Sequence, residues 1–240
     1  MSSPIPGVSW KFVVAGLMAQ PEFPRVFNSG ELEQTLQRHG MSPNPRTIRR
    51  TLKEWEVAGI VRRVAQGVYL NMQANPQPLL KEAVAKMRPG AIVSLATVLG
   101  DSGVLNNPTP WVMAVLPSDV KVRHENEVSS VSGAVFKFAY LRPDLIPNRG
   151  ESWASDALEP YARVPTATPE KALLDWIYLS ASSRGGGRWQ LPASHDLDLD
   201  YLDSDRLERL ASHMGLENEL AQFRQGLESA PRLKIRRSMR

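Results

Sequence analysis

The chain has no cysteine among its 240 residues, which excludes disulfides and thiolate metal sites and fits a reducing cytosol. It has no apolar run near the ~20 residues that a membrane helix needs; the richest runs, around Phe12 and Ile92, reach about half of that. Its first residues, MSSPIPGVSW, lack a basic start followed by an apolar core, so no signal peptide is expected and the cytoplasm is the expected compartment. No GxGxxG or GxxxxGKS/T pattern occurs, and the triple glycine at 185–187 has neither the lysine nor the preceding strand of a phosphate cradle. The histidines (His39, His124, His195 and His213) are scattered without an i,i+4 pair and read as surface or cap residues. The aspartates at 196, 198, 200, 203 and 205 lack the glycine and the closing glutamate of a calcium loop, so they read as a solvated lead into a helix. No metal and no cofactor is expected.

Positive charge is concentrated instead. Residues 1–75 hold nine Lys/Arg against five Asp/Glu, a surplus equal to the net charge of +4 for the whole chain, whereas 76–190 hold twelve against eleven. Residues 231–240 form a basic tail, read as solvated.

Within the basic region, residues 46–55 read as a helix of two faces. At about 100° per residue, Ile48, Thr51, Leu52 and Trp55 share one side, and Arg46, Arg49, Arg50 and Lys53 fall almost opposite. Asn44 is a good N-cap, Pro45 suits the first helical position, and Gly59 suits the stop. Residues 60–70 then supply β-branched and aromatic side chains for two short strands around a turn at Gln66-Gly67, with Arg62 and Arg63 expected to extend the cationic surface. Upstream, residues 10–20 and 29–39 read as helices, the second with Ser29 as cap and Gly40 as stop. Three helices and a ribbon within about seventy residues describe a winged helix-turn-helix.

Such a surface suits double-stranded DNA. Guanidinium and ammonium groups neutralise phosphates and release counterions, and arginine can also fork onto guanine in the major groove. The N-terminal half of a recognition helix meets base edges, so Arg46, Thr47, Arg49 and Arg50 are the expected base contacts, with Lys53, Arg62 and Arg63 on the backbone or minor groove. The competing reading is an ordinary solvated helix face; the register of the hairpin and the scarcity of acids (Glu54 and Glu56 alone) weigh against it.

Prolines 76 and 78 mark a linker. Beyond it, 79–87 reads as helix and 92–99 as helix in preference to strand; 109–116, 133–141, 121–125 and 161–164 read as strands. In 133–141, Phe136, Phe138 and Tyr140 alternate onto one face. Residues 168–179, capped by Thr168 and started by Pro169, read as a helix lined by Ala172, Leu173, Trp176 and Ile177, and 205–214 and 216–227 complete a helical end. The expected fold class is α+β: a winged helix at 1–75, a mixed α/β domain with a small sheet and C-terminal helices at 79–230, and the tail at 231–240.

The GVYLN turn-strand (67–71), IVSLATVL (92–99), VMAVLP (112–117), and PEKALLDWIYL (169–179) after YARVPTA (161–167) together resemble the AbiEi antitoxins of type IV toxin–antitoxin systems, over roughly residues 10–180. TPEKALLD (168–175) is the most specific piece. The resemblance implies a bacterial winged-helix repressor that autoregulates its operon through inverted repeats; the sequence itself has no heptad run or dedicated dimer helix, so a monomer or a dimer formed only on DNA is expected. The resemblance further implies a non-enzymatic second domain that counters a nucleotidyltransferase-like toxin encoded nearby. One departure is visible: family members often carry Ser-Ala-Leu followed by His-Gly, where this chain has Ala96-Thr97-Val98-Leu99 and Asp101-Ser102-Gly103.

Two other functions compete with the repressor. One is a winged-helix regulator whose α/β domain senses a small ligand. The other is a nucleic-acid-modifying enzyme using Glu170, Lys171 and Asp175. The spacing favours a structural role for that cluster: Glu170 sits in the first helical turn, where it complements the dipole, and Lys171 and Asp175 are placed to pair along the helix surface.

Overall fold

A computed structural model of the protein describes residues 9–117, 126–129, 133, 135–148, 150–181 and 189–229. The expected strand at 121–125, His124, the glycine loop at 185–187 and the tail at 231–240 lie outside the described residues. The chain divides into two compact units, Met1–Pro89 with Val128–Phe136, and Gly90–Glu127 with Lys137–Arg240. It is an N-terminal winged helix-turn-helix followed by a mixed α/β domain with a small sheet and C-terminal helices.

The first unit runs α1 (Trp10–Met18), β1 (Val26–Asn28), α2 (Ser29–Arg38), α3 (Pro45–Val57), β2 (Val61–Ala65) and β3 (Val68–Asn71). The strands form an antiparallel sheet in the order β1-β3-β2. Strand β1 has only three residues, too few for periodicity to announce it. It also moves the α2 cap: Asn28, not Ser29, accepts from the Glu31 amide at 2.9 Å, while Glu31 accepts from the Asn28 amide at 2.9 Å. The Ser29 amide is spent on the Gly67 carbonyl at 3.3 Å. On α3, Ile48, Thr51, Leu52 and Trp55 are buried, as the wheel requires. They close a core with Val14, Met18, Leu32 and Leu36 from the other helices and Phe27 and Tyr69 from the sheet.

The sheet is covered on its other face too. Val26 stands opposite Leu70, one residue out of phase with Phe27 and Tyr69, so the pleat turns both away from the helices. Against β1 and β3 there pack α4 (Val84–Met87) and the 3-10 turn Leu80–Ala83 preceding it. Arg25 fastens this segment, donating to both carboxylate oxygens of Glu82 at 2.8 and 2.9 Å and to the carbonyls of Pro76 and Gln77.

The second unit opens with β4 (Ile92–Val93), Ser94 and α5 (Leu95–Asp101). The helix expected over 92–99 is thus two elements. Ile92 and Val93 pair with Val115 and Ala114 of β5 (Val112–Pro117), and Val93 also bonds backbone to Pro165 and Ala167. An apolar run of this length fits strand or helix by periodicity, and the available edge decides. The sheet order is β4-β5-β7-β6, with β6 at Asn126–Ser129 and β7 at Val135–Leu141. Phe136 and Phe138 are buried, and Tyr140 is half-buried. Residues 161–164 form a turn, not the expected strand: pairing begins only at Thr166, and Tyr161 is exposed.

Helix α7 (Pro169–Ala181) is buried on nearly every side, since α5, α8 (Ser204–Met214) and α9 (Glu217–Ser229) all pack on it. The short α6 (Ala154–Ala157) packs on α8. The acidic approach to α8 is less free than expected: Leu197 bridges Leu105, the Asp196 backbone carbonyl accepts from the Asn106 amide at 2.8 Å, and its carboxylate Oδ1 accepts from Asn107 Nδ2 at 2.6 Å. Asp203 then caps α8, accepting from the Arg206 amide at 3.0 Å.

Candidate nucleic-acid interface

The cationic flank of α3 is set by its cap and its core face. Asn44 Oδ1 accepts from the Arg46 amide at 2.8 Å and Pro45 takes the first helical position, so the helix starts with Arg46 and Thr47 already exposed. With the apolar stripe buried, Arg49, Arg50 and Lys53 are exposed as well. Arg46, Arg50, Lys53 and Val57 succeed one another at i, i+4, i+7 and i+11, one continuous stripe opposite the core; Val57 at its end is 91% exposed. The structure therefore brings five sequence-selected residues, Arg46, Thr47, Arg49, Arg50 and Lys53, onto one open flank.

The cations there differ in their partners. Arg46, Arg49 and Lys53 carry no ion pair among the described residues. Arg50 Nε donates to Glu54 Oε1 at 3.0 Å, and the other oxygen of that carboxylate takes Lys11 Nζ of α1 at 2.6 Å. The Lys11 ammonium, and then the Arg50 guanidinium, hold the Glu54 carboxyl below its ordinary range. Nothing in the sequence points to Lys11, which is 43 residues from Glu54.

The hairpin does not keep its two arginines together. Arg63 pairs across the ladder with Tyr69 and Arg62 with Leu70, and cross-strand partners share a face. Tyr69 belongs to the helix-side core and Leu70 to the face backed by α4. Arg63 therefore lies on the side of α3, and Arg62 on the opposite side. The expectation that both extend one positive surface is corrected by the two-residue period of the strand. Arg63 also donates from Nε to the Ala65 carbonyl at 3.3 Å, along its own strand.

In the second unit, Lys171 and Asp175 do pair, but inside the protein: they are 1% and 0% exposed. Ser94 Oγ donates to Asp175 Oδ2 at 2.7 Å, and the Ser94 amide donates to the Met113 carbonyl at 3.1 Å. The surface pairing expected for these residues is thus corrected, because α5 and α8 cover the turn that carries them. Glu170, also buried, accepts from the Asp203 amide at 2.8 Å and faces Arg206 Nη1 at 3.4 Å. Its oxygens tie α7 to the start of α8. Among the described residues no three His, Asp or Glu side chains converge as a metal site. His39 ends α2, His195 lies beside Asp196, and His213 stacks on Trp153 at 4.3 Å between centroids. No described helix is long and apolar enough to cross a membrane.

No protein-family model and no curated protein matches the chain. Among solved structures, the crystal structure of the RV2827C protein from Mycobacterium tuberculosis is similar over 95% of this chain and 83% of that one, with a TM-score of 0.50. The two sequences are 16% identical, so what this likeness shows is a shared fold.

Proposed function

We propose that the protein is a DNA-binding transcriptional repressor, cytoplasmic and non-enzymatic, which autoregulates a toxin–antitoxin operon and counters a nucleotidyltransferase-like toxin. The observation that carries the DNA-binding part is the open cationic flank of α3, whose arginines face solvent instead of the protein's own core. Arg46, Thr47, Arg49 and Arg50 present their donors where a recognition helix meets base edges, with Lys53 and Arg63 placed for phosphates. The operator is an inverted repeat, read by monomers or by a dimer that forms on DNA. The toxin part rests on the resemblance of 67–71, 92–99, 112–117 and 168–179 to AbiEi antitoxins. It assigns DNA binding to 1–75 and antitoxicity to 79–230, with Leu80–Met87 serving as the backing of the first sheet.

Binding to the chain's own promoter region in a gel shift tests this reading. Specific binding that weakens steeply with salt is the expected result. Replacing Arg49 and Arg50 together by Ala costs about 1–3 kcal/mol for each arginine that reads a base. Unchanged binding in that double variant removes the recognition-helix assignment. Co-expression with the neighbouring reading frame tests the toxin: rescue of growth supports it, and an innocuous neighbour sinks it.

A further inference from the structure

One ion cluster beside the cationic flank of α3 joins two helices, and the proposed function gives its Lys11 and Glu54 no role. Glu54 uses one carboxylate oxygen for Arg50 of α3 and the other for Lys11 of α1. The three side chains are all substantially open, with Arg50 82% exposed, Glu54 43% and Lys11 39%. Only Nε of Arg50 is engaged, so its two Nη groups are unpaired among the described residues. Lys11 spends one of three ammonium protons. A carboxylate bridging two cations leaves a net charge of +1 and two fixed sets of donors, one on each side of it. The two non-bridging oxygens of a phosphodiester are spaced much as the oxygens of a carboxylate are, and they suit the same paired donors.

We propose that Lys11, held by Glu54 beside Arg50, is a phosphate contact that carries the duplex footprint from the recognition helix onto α1. Glu54 is the positioning residue of this clamp. Both its oxygens are occupied by cations, so it does not read a cytosine amine, and it keeps two long side chains from sweeping through solvent. Arg50 keeps both Nη groups for the duplex, beside Arg46 and Arg49, which carry no such tether. This inference rests on the DNA-binding reading and adds α1 to it. The plain alternative is a surface brace between α1 and α3, which does nothing for the ligand.

The test uses the full-length protein and a duplex of random sequence, because a phosphate contact does not depend on the bases. Fluorescence anisotropy is recorded over a series of salt concentrations for the unaltered chain, Lys11→Gln and Lys11→Arg. Removing one cation from the phosphates lowers the slope of log affinity against log salt by about 0.9, and affinity by about fivefold near 0.15 M salt. Lys11→Arg restores both. A brace alone shifts the melting temperature of Lys11→Gln and leaves the slope where it was, and that result overturns the proposal while sparing the repressor reading. If the unaltered chain binds no duplex at low salt, both fall.

Discussion

Asp175 occupies a position where an ionised carboxylate has no water to help it. Burial pushes its pKa above the ordinary range, with Lys171 and then Ser94 acting in the opposite direction. Removing one partner from such a pair is more harmful than never having had the pair, because the survivor is left charged in a dry interior. Asp175→Ala is expected to destabilise the second unit by about 3–5 kcal/mol, read from urea unfolding followed by tryptophan fluorescence. Exchanging both partners, Lys171→Met with Asp175→Leu, recovers most of that loss. Recovery no better than the single variant would contradict the account.

The carboxylates also predict opposite pH responses. A raised folded-state pKa means that the native chain holds its proton more tightly than the unfolded chain. The contribution of Asp175 is therefore whole below the unfolded value, near 3.8, and shrinks as pH climbs toward the folded value. Glu54 behaves the other way: its pKa is lowered by Lys11 first and Arg50 second, so its contribution is whole above about 4.5 and fades as pH falls. An NMR titration of Glu54 in Lys11→Gln is expected to return its midpoint toward the ordinary value. A midpoint that stays put would mean that the pair is not populated in solution.

Among the elements, α3 is legible from the sequence because everything that defines it lies within fourteen consecutive residues: a cap, a proline at the start, an apolar stripe and its cationic opposite. The hairpin is legible as a hairpin, yet Arg62 and Arg63 do not make one patch, because adjacent strand residues point to opposite faces. That separation yields a prediction: Arg63→Ala weakens duplex binding and Arg62→Ala leaves it nearly unchanged, as measured by anisotropy. Equal losses would show that the hairpin is gripped from both sides.

Other features cannot be read from spacing at all. Lys11 meets Glu54, and Ser94 meets Asp175, only because separate elements fold together; the second pair is 81 residues apart. The i,i+4 spacing of Lys171 and Asp175 is ordinarily a surface signature. What buries it is the packing of α5, α8 and α9 around α7. Residues 92–99 do not form a single helix for a similar reason. Two of them are claimed by the edge of β5, and Leu95 enters the helix at φ 58, a conformation unfavourable for a leucine. The Ser94 bonds to Met113 and Asp175 hold the adjoining residue in place.

For the whole molecule, the covered back of the first sheet decides where a DNA-binding fragment can end. Cutting after residue 75 removes the Glu82 partner of Arg25 and uncovers Val26 and Leu70. Each such side chain is worth about 1.5–3 kcal/mol when buried. A fragment ending at Pro89 is expected to melt cooperatively and well above one ending at 75, as circular dichroism would record; equal melting would show that the backing adds nothing.

The hairpin tip has a consequence of its own. It turns in two residues, Gln66 and Gly67, and the Gly67 carbonyl is tied to Ser29 at the head of α2, so no long finger reaches out toward a neighbouring minor groove. Hydroxyl-radical cleavage should accordingly show each copy shielding a single major-groove stretch on one side of the double helix. Two shielded stretches would then be centred about 10 base pairs, or a multiple of that, apart.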